Sequence, residues 1–247
     1  MTTNNTADIV EDQPPWAWIK CVRDMTDAHS CRPNVELPVE VLPWLLISDR
    51  KSSLNVSKLK EHRITHILSV HAVSPREEGY YQERLDGTGI VHKRVSCDDT
   101  EGYPMIDRHW ADCLQFLRTV RATLNGRVVV HCVAGVNRSG LICCAAQMVL
   151  EQQPLLDVVR HCIDRRGAVL WNRSFQRQLC DLAKREGLLG PPPPGYTDEP
   201  LVDTIPAPPP AHCIIMEKQT VKSTMAAHIE DRLATLKKQS TNCNQLC

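Results

Sequence analysis

No stretch of this 247-residue chain approaches the about 18 uninterrupted apolar residues of a membrane-crossing helix. The first residues, Met1-Thr2-Thr3-Asn4-Asn5-Thr6-Ala7-Asp8, lack the basic start and apolar stretch of a secretory signal. The expectation is a cytoplasmic protein with no membrane span, for which the nucleus is also open. None of the 12 cysteines forms a Cys-x-x-Cys pair, and His131-Cys132, His161-Cys162 and His212-Cys213 recur without metal-finger spacing. That argues against a metal site, and no cofactor is expected; scattered thiols suit a reducing compartment. Net charge is zero, so bulk charge predicts no affinity for nucleic acid. No internal repeat is present.

What the chain does have is Arg127-Val128-Val129-Val130-His131-Cys132-Val133-Ala134-Gly135-Val136-Asn137-Arg138-Ser139-Gly140. Three valines form a short buried strand, a tight turn follows, and Leu141-Ile142-Cys143-Cys144-Ala145-Ala146 continues as an apolar, helix-compatible run. A cysteine and an arginine at this spacing are common by chance, and singly each reads as a buried hydrophobe or a solvated charge. Strand, loop and helix start together make the order an anion cradle needs. The backbone N–H groups of Val133, Ala134, Gly135, Val136 and Asn137, backed by a helix's positive end, would bind a dianion. Gly135 permits close backbone approach. Arg138 would grip two phosphate oxygens with its planar fork. The same surroundings favour the thiolate of Cys132, the candidate nucleophile. Ser139 would stabilise the sulfur as it leaves, and His131 would order the loop.

With these residues in view, the chain resembles the dual-specificity branch of the cysteine-dependent protein tyrosine phosphatases. The pattern His-Cys, five residues with a central Gly, then Arg-Ser is complete here. Val41-Leu42-Pro43-Trp44-Leu45-Leu46-Ile47-Ser48-Asp49 looks like the family's opening strands, and Ile64-Thr65-His66-Ile67-Leu68-Ser69-Val70 like its next core strand. Asn172-Arg173-Ser174-Phe175-Gln176-Arg177-Gln178-Leu179 resembles its closing helix. Three positions depart from the pattern: Ser48 where Gly is common, Trp171 where Pro usually precedes Asn172, and Gly140 where Pro often follows the Ser. The resemblance implies phosphoprotein substrates and a cysteinyl-phosphate intermediate.

The leaving group of such a reaction needs a general acid. Candidates lie in Ser96-Cys97-Asp98-Asp99-Thr100-Glu101-Gly102-Tyr103-Pro104, a turn-rich segment after the strand 90–95. Alignment with the family's Asp favours Asp99, with Asp98 its rival. Arg165 and Arg166 are candidates for reaching a second phosphate.

Alternating signals imply an α/β domain with helices on both faces of a mostly parallel sheet, a phosphatase-like three-layer fold. Strands are expected at 64–70 and 90–95, and helices near 53–62, 107–124, 157–165 and 172–186, with the nucleophile helix stopped near Pro154. Residues 1–34 read as an N-terminal extension carrying the aromatic patch Trp16-Ala17-Trp18-Ile19, residues 35–189 as the catalytic domain, and 190–247 as a tail. Nine of the 17 prolines fall at 191–210, an extended linker and a candidate ligand for proline-recognition domains. Val221, Met225, Ile229, Leu233 and Leu236 outline an amphipathic helix over 217–238. Three functions stay open: an active phosphatase of dual specificity, a phosphate-binding module without turnover, and a phosphatase for phosphoinositides or RNA 5′ ends. The loop interior holds no Lys, unlike strongly basic phosphoinositide loops, while Asn137 before Arg138 resembles an RNA-triphosphatase branch.

Overall fold

The valine run of the sequence becomes β5 (Val128–His131), every residue of which is buried. In the computed structural model, which describes residues 13–29 and 35–201, this strand is the centre of a five-stranded sheet. It lies between β2 (Leu45–Ser48) and β3 (His66–Val70), parallel to both. β4 (Val91–Val95) extends the parallel set beyond β3, and β1 (Val39–Leu42) closes the other edge antiparallel to β2. Burial on both faces is why β2, β3 and β5 read as continuous apolar runs instead of alternating.

The two faces separate residue by residue. Leu46, Ile67 and Val129 face a small core with Leu59 and Leu85, from α2 (Val56–Glu61) and α3 (Pro75–Leu85). Leu45, Ile47, Leu68, Val128 and Val130 face the main core. That layer is built by α4 (Met105–Ala122), α5 (Arg138–Glu151), α6 (Leu155–Arg166) and α7 (Arg173–Arg185), with α1 (Trp16–Ala28) packed on α6 and α7. α5 is buried on nearly all sides, which explains its lack of a polar face. The fold is the expected three-layer arrangement with a mostly parallel sheet. In register, Ser48 and His131 end β2 and β5 beside Ser69, the residue before the last of β3. The site grows from that carboxyl edge.

Some expectations need correction. The stretch up to residue 34 is not simply an extension, because α1 buries Ala17, Trp18, Ile19 and Val22 in the main core. The aromatic patch therefore packs on the domain. α3 was not foreseen: it is polar, and only Tyr81 and Leu85 are buried on it. The helix expected at 53–62 is a 3-10 turn, Ser52–Leu54, followed by the shorter α2. Nor does the packed unit stop at Leu189. The Trp18 indole donates to Leu189 O at 3.0 Å, Asp198 Oδ1 accepts from the Ala17 N–H at 2.9 Å, and the Tyr196 hydroxyl donates to Asp24 at 2.9 Å. The first part of the Pro-rich stretch is thus a strap over α1, with Pro193 buried. The remainder of that stretch and the helix expected at 217–238 lie outside the described residues. Among the described residues, no helix is long and apolar enough to cross a membrane and no cluster of His, Cys, Asp or Glu suits a metal ion.

Candidate active site

From His131 the chain leaves the sheet at Cys132 and returns as α5 at Arg138. The intervening loop is shaped by its carbonyls, which are tied outward. Val133 O accepts from the Arg50 N–H at 3.3 Å and Val136 O from the Leu170 N–H at 3.2 Å. The Arg166 guanidinium donates Nε–H to Gly135 O at 3.1 Å and Nη2–H to Ala134 O at 3.2 Å. A trans peptide sets each C=O opposite the next N–H. The N–H groups of Ala134, Gly135, Val136 and Asn137 are therefore turned the other way, and none has an acceptor among the described residues. No side chain caps the start of α5, whose positive end backs the same concavity. The result is an anion cradle.

Gly135 fits this path for a definite reason. Its φ is +69°, and a Cβ there would stand 2.7 Å from Ser48 O. No L side chain fits without moving the loop or β2.

At the cradle's floor Cys132 is almost wholly buried, and its Sγ lies 3.3 Å from Ser139 Oγ on the first turn of α5. Beneath it, His131 is fixed by hydrogen bonds that also settle its protonation. Cys132 O can only accept, so His131 Nδ1 carries the proton in their 3.2 Å contact. Nε2 then accepts from Ser69 Oγ–H at 2.6 Å, and that hydroxyl accepts from His92 Nε2 at 2.8 Å. Burial, reinforced by neighbouring His71, pushes His131 well below the usual histidine range, so the ring is neutral. It is a structural bond donor to the loop.

Arg138 is 8% exposed. Its Nε lies 3.3 Å from Asp99 Oδ2, and Nη1 donates to Cys97 O at 3.4 Å. Asn172 Nδ2 holds Asp99 from the far side, donating to its backbone O at 3.0 Å and to Oδ1 at 3.4 Å. Asp98 points elsewhere: it is exposed and accepts from the Asp99 N–H at 2.6 Å. Of the acidic pair, Asp99 is the one brought to Arg138.

Residues 45–185, more than half of the chain, match the family model for the dual specificity phosphatase catalytic domain. The chain belongs to the dual-specificity phosphatase family. Dual specificity protein phosphatase 26 of Bos taurus is 32% identical over 146 residues, 59% of this chain and 67% of that one. For dual specificity protein phosphatase 2 of Mus musculus the figures are 30% over 146 residues, 59% and 42%. The crystal structure of DUSP15 aligns with a TM-score of 0.51 at 28% identity, over 61% of this chain and 90% of that one. Human DUSP28 shares the fold at a TM-score of 0.52 and 21% identity, over 62% and 98%.

Within this family domain the departure at Trp171 is explained by Asn137. Asn137 Oδ1 accepts from the Trp171 N–H at 2.8 Å and the Asn172 N–H at 3.1 Å. A proline at 171 would have no N–H to give. The Asn137 side chain is thus committed to the turn before α7, and only its backbone faces the cradle. Arg166, a candidate for a second phosphate, is instead buried behind the loop, and exposed Arg165 donates to Glu40 O at 2.8 Å. Sequence reasoning missed Arg166 as a brace. The signal was faint, because nothing local announces that two carbonyls 31 and 32 residues earlier will need a donor.

Proposed function

We propose that the chain is a protein phosphatase of dual specificity, hydrolysing phosphotyrosine and phosphoserine or phosphothreonine through a cysteinyl-phosphate. The observation that carries this reading is the juxtaposition of Cys132 Sγ 3.3 Å from Ser139 with Arg138 3.3 Å from Asp99. The substrate dianion takes the loop N–H groups and the Arg138 fork. Engaging Arg138 draws its charge away from Asp99, and the phosphate's own negative charge favours the protonated carboxyl. The Cys132 thiolate attacks phosphorus, the P–O bond breaks, and the Asp99 proton goes to the departing oxygen. Water then attacks the thiophosphate, Asp99 takes its proton, and the thiolate leaves with Ser139 hydrogen-bonded to it. No metal or cofactor enters the scheme.

Breadth of substrate follows from size. A domain of about 150 residues has little room for insertions that deepen a tyrosine-only pocket. A phosphoinositide reading has no Lys in the loop to support it, and Asn137, the residue that suggested RNA ends, has its side chain occupied by the α7 turn.

The test is turnover on matched phosphotyrosine and phosphothreonine peptides, a phosphoinositide panel and 5′-triphosphate RNA, with Cys132→Ser as control. Cys132→Ser should lose turnover and keep phosphate binding, and Asp99→Asn should lose about 10²–10⁴ in peptide turnover but less with an activated aryl leaving group. Asp98→Asn should stay near wild type. Preference for a phosphoinositide or RNA would overturn the substrate class, and phosphate binding without turnover would make the domain a binding module.

A further inference from the structure

Glu101 stands two residues beyond Asp99 on the segment between β4 and α4 and is exposed, yet its carboxylate is engaged across the chain. Its Oε1 accepts from the Arg173 N–H at 2.8 Å and its Oε2 from the Ser174 N–H at 2.9 Å. Those are the first two donors of α7, and helix geometry gives them no partner of their own. The next two are served locally: Asn172 Oδ1 accepts from the Phe175 N–H at 3.2 Å and Asn172 O from the Gln176 N–H at 3.1 Å. The first turn is fully satisfied only because the acid segment supplies a carboxylate. That carboxylate also sits at the positive end of the helix, where negative charge is favoured.

The grip continues on both sides. Asn172 holds Asp99, while Gln178 donates to Tyr103 O at 2.8 Å and accepts from the Ile106 N–H at 3.0 Å. Arg173, between these points, donates to both carboxylate oxygens of Asp27 on α1 at 2.8 Å. The segment from Ser96 to Pro104 has no regular structure and contains Gly102 at φ +81°. Without anchors such a segment spreads over many conformers.

We propose that Glu101 is a positioning residue that latches the acid segment to the start of α7 and so holds Asp99 at the mouth of the cradle. The proposal rests on the reading of Asp99 as general acid. It separates the residue that transfers the proton from the residue that keeps it in reach.

The experiment combines kinetics with hydrogen exchange on the full chain. Glu101→Ala should raise amide exchange in residues 97–104 and at the start of α7 while leaving residues 132–138 unchanged. On phenyl phosphate it should lower kcat about tenfold, a fraction of the roughly 10²–10⁴ that a general acid supplies. On an activated nitrophenyl phosphate the loss should shrink, and tungstate affinity should hold. Glu101→Gln should fall between, since its one carbonyl oxygen serves one N–H and its amide group opposes the other. In an Asp99→Asn background Glu101→Ala should cost nothing further. Unchanged exchange at 97–104, a loss independent of the leaving group, or additive effects in the double variant would each overturn the latch. Failure of the phosphatase reading shows differently, as absent turnover in the wild type or full turnover in Cys132→Ser, and the exchange measurement decides the latch in either case.

Discussion

Gly135 concentrates the demands of the site on one residue. Its positive φ is costly to any L side chain, and the position a Cβ would take is 2.7 Å from Ser48 O, a backbone atom that β2 holds in place. Gly135→Ala should therefore shift the loop instead of being absorbed by it. A misplacement of about 1 Å costs on the order of 10²-fold in rate, so kcat/KM should fall by about that factor. Tungstate affinity should weaken with it, because the displaced N–H groups are those proposed to bind the anion. Unchanged tungstate affinity by calorimetry would show that the loop can rearrange freely. Cys132, Gly135, Arg138 and Ser139 were legible because their geometry is local, set by a strand end, a turn and a helix start within one short run. Asp99 was legible only as one of a pair, since which carboxylate faces Arg138 depends on the chain path after β4. Arg166 and Glu101 were not legible. Their partners are carbonyls and amides far along the chain, and only folding brings these together.

At the scale of elements, legibility followed burial. β2, β3, β5 and α4 bury a continuous run or a helical stripe, and the sequence shows both patterns directly. α3 buries little, so periodicity passed over it. Its true signal was the capping box, in which Ser74 accepts from the Glu77 N–H and Glu77 accepts from the Ser74 N–H, with Pro75 in the first turn. α1 was half seen, as a patch instead of a helix, because its polar flank hid the spacing of Ala17, Trp18, Cys21 and Val22. Its contribution to stability is measurable. Trp18→Ala removes a side chain that is only 8% exposed together with its bond to Leu189 O, and should cost about 3–5 kcal/mol in urea unfolding. The strap makes a matching claim. A chain ending at Leu189 loses the Asp198 acceptor at the start of α1 and the Tyr196 packing, and should melt lower than one ending at Leu201. Aryl phosphate turnover should survive in both while they are folded, since no strap residue enters the mechanism. Equal melting temperatures would show that α1 stands without its strap.

At the scale of the whole molecule, the Cys132–Arg138 loop is built over a group of histidines that the fold keeps uncharged. His71 and His131 have ring centroids 5.2 Å apart, and Tyr81 lies 5.0 Å from His92 and 6.0 Å from His131. Burial, helped by the cations Arg138 and Arg50, lowers His71 from 6.5 to about 4. Burial, helped by Arg94, does the same for His92. A base whose folded pKa is depressed binds fewer protons folded than unfolded between the two values. Above about pH 6.5 both states are neutral there and the full stability is present. As pH falls toward 4 the unfolded chain takes up protons that the native core refuses, and stability drains away. Glu77, where burial works upward but the bonds from Ser74 and the Arg50 cation prevail and hold the carboxyl below the usual carboxylate range, adds its own loss only further down. The urea midpoint should thus fall between about pH 7 and about pH 5, and the fall should shrink in His71→Leu, which has nothing left to protonate at that position. A midpoint flat across this range in the wild type would mean that the histidines beneath the loop accept protons without disturbing it.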